Sequence, residues 1–218
     1  MTALPDSALV VSGALLAITV AALLWAERKC SRLGIWLAKP LASTLFVITA
    51  ILAGALASPY GRIMLVGLVL SWLGDVLLIP RRQRFFVAGL ASFLLAHVAY
   101  SAAFFLEPLA VLPLSLGAIA MAVFAVIIVR WLWPHLPRNL RAAVAAYVAA
   151  ISLMVVLAAG TTAAHGFGLL IGALMFAVSD VFVARDRFVS ASVTNRFWGL
   201  PLYYSAQLVF ALSTQVSG

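Results

Sequence analysis

Almost the whole chain is a succession of apolar stretches, each about as long as a bilayer is thick. A membrane-spanning helix needs roughly 20 mostly apolar residues. Windows at 7–26, 38–57, 62–80, 85–106, 109–132, 142–160, 166–184 and 197–216 have that length and character. The links between them are short and carry Pro, Gly or Arg, as in Ser58-Pro59-Tyr60-Gly61 and Pro134 to Arg141. Hydrocarbon offers backbone N–H and C=O groups no partner, so segments this long and uniformly apolar must bond internally as helices. The expected fold is all-α: a polytopic membrane protein of eight transmembrane helices forming a single domain over 1–218. A charged fraction of 9% against about 25% in soluble domains excludes an ordinary soluble protein.

The net charge of +8 resembles a nucleic-acid signal, but its distribution argues for topology and no nucleic-acid partner. Arg28, Lys29, Arg32, Lys39, Arg81, Arg82, Arg84, Arg130, Arg138, Arg141, Arg185, Arg187 and Arg196 all gather at the links after the first, third, fifth and seventh windows. Only Arg62 lies on the other side. Basic residues mark cytoplasmic loops, so both termini are expected outside, in what reads as a bacterial inner (plasma) membrane. The first window has no basic leader or evident cleavage site and reads as a retained helix. Cys30 is the single cysteine and forms no internal disulfide.

Two carboxylates interrupt the apolar pattern, and they do so in matching sequence. Asp75 lies in GLVLSWLGDVLLIPRRQRF (67–85) and Asp180 in GALMFAVSDVFVARDRF (172–188). Each has a Gly eight residues before it, a small residue immediately before it and Val after it, with Arg-Phe closing the stretch. The offset of 105 residues hints at two four-helix halves related as a parallel repeat. Counted back from Arg81 and Arg185, both carboxylates lie on the order of 8–9 Å inside the cytoplasmic boundary. An unpaired carboxylate there costs on the order of several kcal/mol, which makes each Asp a candidate functional residue. No Lys or Arg is expected at their depth, which favours a proton shared between the two over a salt bridge.

Other polar residues share helix faces near this level. Ser71 precedes Asp75 by one turn; Tyr203 and Gln207 are four apart; His97 and Tyr100 are three apart; Lys39 opens the second window at its cytoplasmic end. Each has a plain structural alternative. Ser71 can bond the carbonyl one turn back, His97 and Gln207 can join helices, and Lys39 can snorkel to the interface. Tyr204 reads as packing or as part of the interfacial aromatic belt, and Trp72, Phe93 and Phe176 as packing. Topology separates the three histidines, with His135 inside and His165 outside, so no metal site and no cofactor are expected.

Burial favours the neutral carboxylic acid. A carboxylate pair can then divide the roles of acid and base, as in glycosidases, which pass through an oxocarbenium-like state. The site opens near the cytoplasmic leaflet, where water and lipid headgroups are both at hand, and an amphiphilic substrate is expected there. Ser71-x-x-Gly74-Asp75, Ser179-Asp180, Tyr203-x-x-Ala206-Gln207 and Lys39-Pro40 together resemble the YhhN-like integral membrane lysoplasmalogenases. The resemblance extends over nearly the whole chain; the link at Ser190 to Asn195 departs from it. It implies hydrolysis of the vinyl ether bond of lysoplasmalogens to a fatty aldehyde and glycerophosphoethanolamine or -choline. It also implies that Asp75 and Asp180 are the catalytic pair, with a lysophospholipid substrate and water as partners among the membrane lipids. Lys39, Ser71, His97, Tyr100, Tyr203 and Gln207 are the candidate substrate-binding residues.

Two rival classes bear on the same carboxylates. Intramembrane aspartyl proteases carry a G-x-G-D motif, and position 72 here is Trp, so that match fails. A proton-coupled transporter or channel using the Asp pair as a relay is the alternative function.

Overall fold

A computed structural model describes residues 6–80 and 82–215. Arg81, from which the depth of Asp75 was counted, and Val216, the end of the last window, lie outside the described residues. Among the described residues all regular structure is helical. The α-helices are α1 (Asp6–Arg28), α2 (Arg32–Ala53), α3 (Pro59–Leu77), α4 (Gln83–Phe105), α5 (Val111–Leu132), α6 (Arg141–Gly160), the single turn α7 (Thr162–His165), α8 (Gly168–Ala184) and α9 (Val193–Leu212). The ends are set locally. Ser31 and Ser58 cap α2 and α3 by accepting from the Gly34 and Gly61 amides, which satisfies N–H groups left without carbonyl partners. Gly54 closes α2 in the left-handed region at φ 102°, a conformation that glycine adopts without steric cost.

Seven helices are long and apolar enough to cross a membrane, which makes an integral membrane protein of this chain. The eighth long helix, α9, has 20 residues but carries Asn195, Arg196, Tyr203, Tyr204, Ser205 and Gln207. Its neighbours explain that polarity. Helices α1, α2, α3, α4, α6, α8 and α9 follow one another around the bundle, and α9 also reaches across to α2 and α3. It buries Asn195, Tyr203, Tyr204 and Gln207 against other helices and so presents polar groups to protein. Helix α5 is the opposite case. It packs chiefly on α6 and buries only Met121 and Leu132. Leu112, Leu116, Ile119, Val123 and Ile127 stay exposed, a surface that hydrocarbon solvates at no cost.

At the bundle end that carries the basic links, the segment joining α8 to α9 is clasped by polar contacts. It leaves α8 through a π-helical turn at Arg185–Val189. Asn195 is buried, accepts from Arg185 (2.8 Å) and donates to Asp186 (3.2 Å) and the Ser190 carbonyl (2.8 Å). Arg196 pairs with Glu27 at the end of α1 (2.8 Å) and with Asp186 (3.4 Å). Two of the six acidic residues thus tie down the α8–α9 link that the sequence left unplaced.

Close packing of α3 on α4 depends on small residues. A Cβ built at Gly74 would stand 2.6 Å from the Phe93 ring, and one at Gly67 would collide with the Tyr100 ring. Small residues let membrane helices approach where dispersion and interhelical hydrogen bonds must hold them together. Gly74→Ala should therefore destabilise the protein by about 1–3 kcal/mol through overpacking. Gly168→Ala, whose added Cβ meets nothing within 4 Å, should leave the melting temperature unchanged or raise it. Thermal unfolding of both variants in detergent is the measurement.

Candidate active site

Asp75 sits in the last turn of α3 and is 2% exposed. Lys39 Nζ lies 3.2 Å from its Oδ1. Its Oδ2 accepts from Ser43 Oγ (2.6 Å) and from Tyr203 OH (2.7 Å). Tyr204 OH completes the group, 3.2 Å from Ser43 Oγ and donating to the Lys39 carbonyl (3.3 Å). The expectation that no cation reaches this depth is wrong, and the reason is where α2 begins. Its first residue is Arg32, capped by Ser31, six residues before the expected start at 38. Lys39 is therefore about two turns inside the helix, at roughly 1.5 Å per residue, and its side chain meets α3. A salt bridge, reinforced by two hydroxyl donors, satisfies Asp75.

Asp180, in the last turns of α8, has different company. Its Oδ2 accepts from Tyr147 OH on α6 (3.0 Å). The same oxygen stands 3.4 Å from His97 Nε2 on α4, within ion-pair distance, although this nitrogen makes no hydrogen bond. His97 Nδ1 is 2.6 Å from the Phe93 carbonyl. Its ring is fully buried, 4.6 Å from Phe176 and 5.2 Å from Tyr147 between centroids. The Asp180 side chain is 15% exposed and can meet a molecule from outside the bundle.

A third polar string runs beside these. Tyr100 OH donates to Gln207 Oε1 (2.7 Å) and lies 3.0 Å from Ser71 Oγ. Ser71 thus reaches across to α4 rather than back along its own helix, and Gln207 is left with a buried Nε2 that has no partner. Aromatic rings link the carboxylate clusters: Tyr203 to Phe176 at 5.3 Å, Phe93 to Tyr203 at 5.8 Å, and Phe176 to His97 at 4.6 Å. Among the described residues no hydrogen bond joins the two carboxylates, and each has its own partners.

Of the residues singled out from the sequence, Lys39 and Tyr203 meet Asp75, His97 meets Asp180, and Ser71, Tyr100 and Gln207 form the string between α3, α4 and α9. Three members were missed. Ser43 follows Lys39 by four residues, a spacing that puts both on one face of α2 and was visible in advance. Tyr204 binds Ser43 and the Lys39 carbonyl instead of serving only as packing. Tyr147 carries no motif, and only the packing of α6 on α8 brings it to Asp180. A cleft of about 710 Å³ lined by Tyr60, Glu107, His165 and Ser213 opens at the other end of the bundle and contains none of these side chains.

A bundle of apolar helices with two carboxylates near one end, one beside an ammonium and two hydroxyls and the other beside an imidazole and one hydroxyl, belongs to a membrane-embedded protein. The chain belongs to the YhhN family, which it matches over residues 34–214, a span that includes every residue of the three clusters. It is 33% identical over 181 residues to the Bos taurus lysoplasmalogenase TMEM86A, covering 78% of this chain and 72% of the relative. It is 34% identical over 168 residues to a Mycobacterium tuberculosis lysoplasmalogenase, covering 70% and 60%. Homo sapiens lysoplasmalogenase TMEM86B is 33% identical over 154 residues, covering 71% and 64%. No solved structure matches the chain.

The ion pair at Asp75 makes a stability prediction. Removing one partner of a buried pair leaves an uncompensated charge, at a cost of about 3–5 kcal/mol, whereas an apolar replacement of both is near neutral. Lys39→Met should accordingly unfold at much lower temperature than the parent, and Lys39→Met with Asp75→Leu should recover most of the loss. Thermal melts of the single and double variants decide it.

Proposed function

We propose that this protein is a lysoplasmalogenase that cleaves the vinyl ether bond of a lysophospholipid by acid catalysis at Asp180, with Asp75 as the ionised partner carboxylate. The observation that carries the division of roles is the difference in their partners. Asp75 faces an ammonium group at 3.2 Å and accepts from two hydroxyls, all of which favour the carboxylate. Asp180 has one hydroxyl donor and a nearby imidazole, and it is the more exposed of the two.

The reaction begins when a proton passes from Asp180 to the alkene carbon remote from the ether oxygen. The π bond supplies the electrons of the new C–H bond, and an oxocarbenium ion remains. Water adds to the cationic carbon and gives up a proton to the Asp180 carboxylate. The resulting hemiacetal loses its hydroxyl proton, the C–O bond breaks, and the glycerol oxygen takes a proton. The products are a fatty aldehyde and a chain-free glycerophosphodiester such as glycerophosphoethanolamine or -choline. Protein carboxylates contribute on the order of 10²–10⁴-fold by such positioned proton transfer. Lys39, with its ammonium partly exposed beside Asp75, is suited to the substrate phosphate, and Gln207 Nε2 to a glycerol oxygen. In this reading α9 is the eighth span and both termini lie outside, and the thirteen basic residues support a site toward the cytoplasmic leaflet.

Release of fatty aldehyde from a lysoplasmenyl lipid by the purified protein in detergent, without any ion gradient, is the test. Asp180→Asn should lower kcat by about 10²-fold or more while the protein keeps its helical circular dichroism, and Asp75→Asn should do the same when assayed below its lowered melting temperature. Full activity in either variant would remove that aspartate from the mechanism. Absence of aldehyde from the wild-type protein would remove the reaction itself.

A further inference from the structure

The pairing of His97 with Asp180 restricts where the catalytic proton can be. We infer that His97 and Asp180 hold one proton between them and act as a single donor, with Tyr147 positioning the carboxylate; this deepens the reaction proposed above and rests on it. A backbone carbonyl only accepts, so the 2.6 Å contact between His97 Nδ1 and the Phe93 carbonyl assigns a hydrogen to Nδ1. The bond made by one ring nitrogen decides the state of the other. Nε2 is therefore a bare lone pair in the neutral ring, or an N–H in the cation, and it faces Asp180 Oδ2 at 3.4 Å.

Two electron-rich atoms, one on a fully buried ring and the other on a largely buried carboxyl, do not face each other at this distance without a proton between them. With one proton, the pair is either imidazole with carboxylic acid or imidazolium with carboxylate, and both are neutral overall. With none, the pair carries a full negative charge on a largely buried carboxylate. With two, it carries a full positive one. Isolated buried charges are strongly disfavoured, so the neutral count of one proton prevails. The separation exceeds the usual 2.7–3.2 Å of a hydrogen bond, as is common at catalytic contacts before substrate arrives. Tyr147 OH donates to the same oxygen at 3.0 Å, and its ring meets the imidazole edge-on, so one side chain orients both partners.

This arrangement suits the first chemical step. His97 is fully buried, and so the partly exposed carboxyl of Asp180 is what touches substrate; His97 acts through it. As the proton leaves Asp180 for carbon, the pair becomes negative just as the oxocarbenium ion becomes positive. The proton released when water adds returns to the pair, and the count of one is restored. No oxidant, reductant or metal is needed for the cycle to balance.

The test is nitrogen spectroscopy on the full chain, labelled with [15N]histidine in lipid nanodiscs and carrying His135→Asn and His165→Asn so that only His97 reports. The Nδ1 resonance should be that of a protonated nitrogen. The Nε2 resonance should move on Asp180→Asn and again on Tyr147→Phe. Kinetics supply the second arm. His97→Asn can keep the bond to the Phe93 carbonyl and His97→Gln can keep a polar contact toward Asp180, yet neither can hold the shared proton. Both should lower kcat about tenfold or more with KM changed less than about twofold. An Nε2 resonance identical in the parent and Asp180→Asn overturns the shared proton. Wild-type kcat in either His97 variant overturns its part in the donor. If the parent hydrolyses no lysoplasmenyl lipid, the reaction proposed above falls, and the resonance shift alone still decides the shared proton.

Discussion

The arrangement of this bundle depends on how Asp75 is satisfied. A carboxylate withdrawn from water into an apolar bundle is stable only with a counter-charge or a full set of donors. Here it takes both: the Lys39 ammonium at 3.2 Å and the Ser43 and Tyr203 hydroxyls. Those three donors come from α2 and α9, so a single side chain on α3 specifies which two helices stand beside it. Apolar packing alone would tolerate many rotations of these helices. The directional requirements of one buried anion select among them.

The same demand explains the composition of α9. A helix surrounded by protein need not be apolar on every side, and one that must complete two polar clusters cannot be. Tyr203 and Tyr204 project toward Asp75 and Ser43, and Gln207 toward Tyr100. Helix α5, which packs chiefly on α6, is almost wholly apolar because its neighbour is lipid. Polarity along the chain thus records distance from the bundle interior more faithfully than it records membrane insertion. Phe93, Phe176 and Tyr203 fill the space between the carboxylate clusters, so each carboxylate is served by its own set of partners.

Much of this was legible in the residues. The spacing of apolar windows located the long helices to within a few positions in most cases, and α2 is the exception that mattered. Its start was placed at 38, after the basic link, with Lys39 opening the helix at its cytoplasmic end. A Ser31 cap and the length of the helix instead carry Lys39 inward, where it neutralises Asp75. The matching sequence around Asp75 and Asp180 suggested two carboxylates at one depth sharing a proton, yet each has its own, unlike partners. Equivalence in local sequence does not extend to the residues supplied by other helices. Tyr147 shows the limit most plainly, since nothing within α6 distinguishes it from an interfacial aromatic.

By itself, then, the sequence determined the solvent, the class of fold, the two carboxylates and the family resemblance, because hydropathy and helical spacing are properties of contiguous residues. Tertiary structure alone decided the charge partner of each carboxylate. It put Lys39 and Ser43 against Asp75, His97 and Tyr147 against Asp180, and Tyr100 between Ser71 and Gln207. These contacts join residues separated by 29 to 107 positions. Electrostatic pairing acts over a few ångströms of space, and distance along the chain does not encode it.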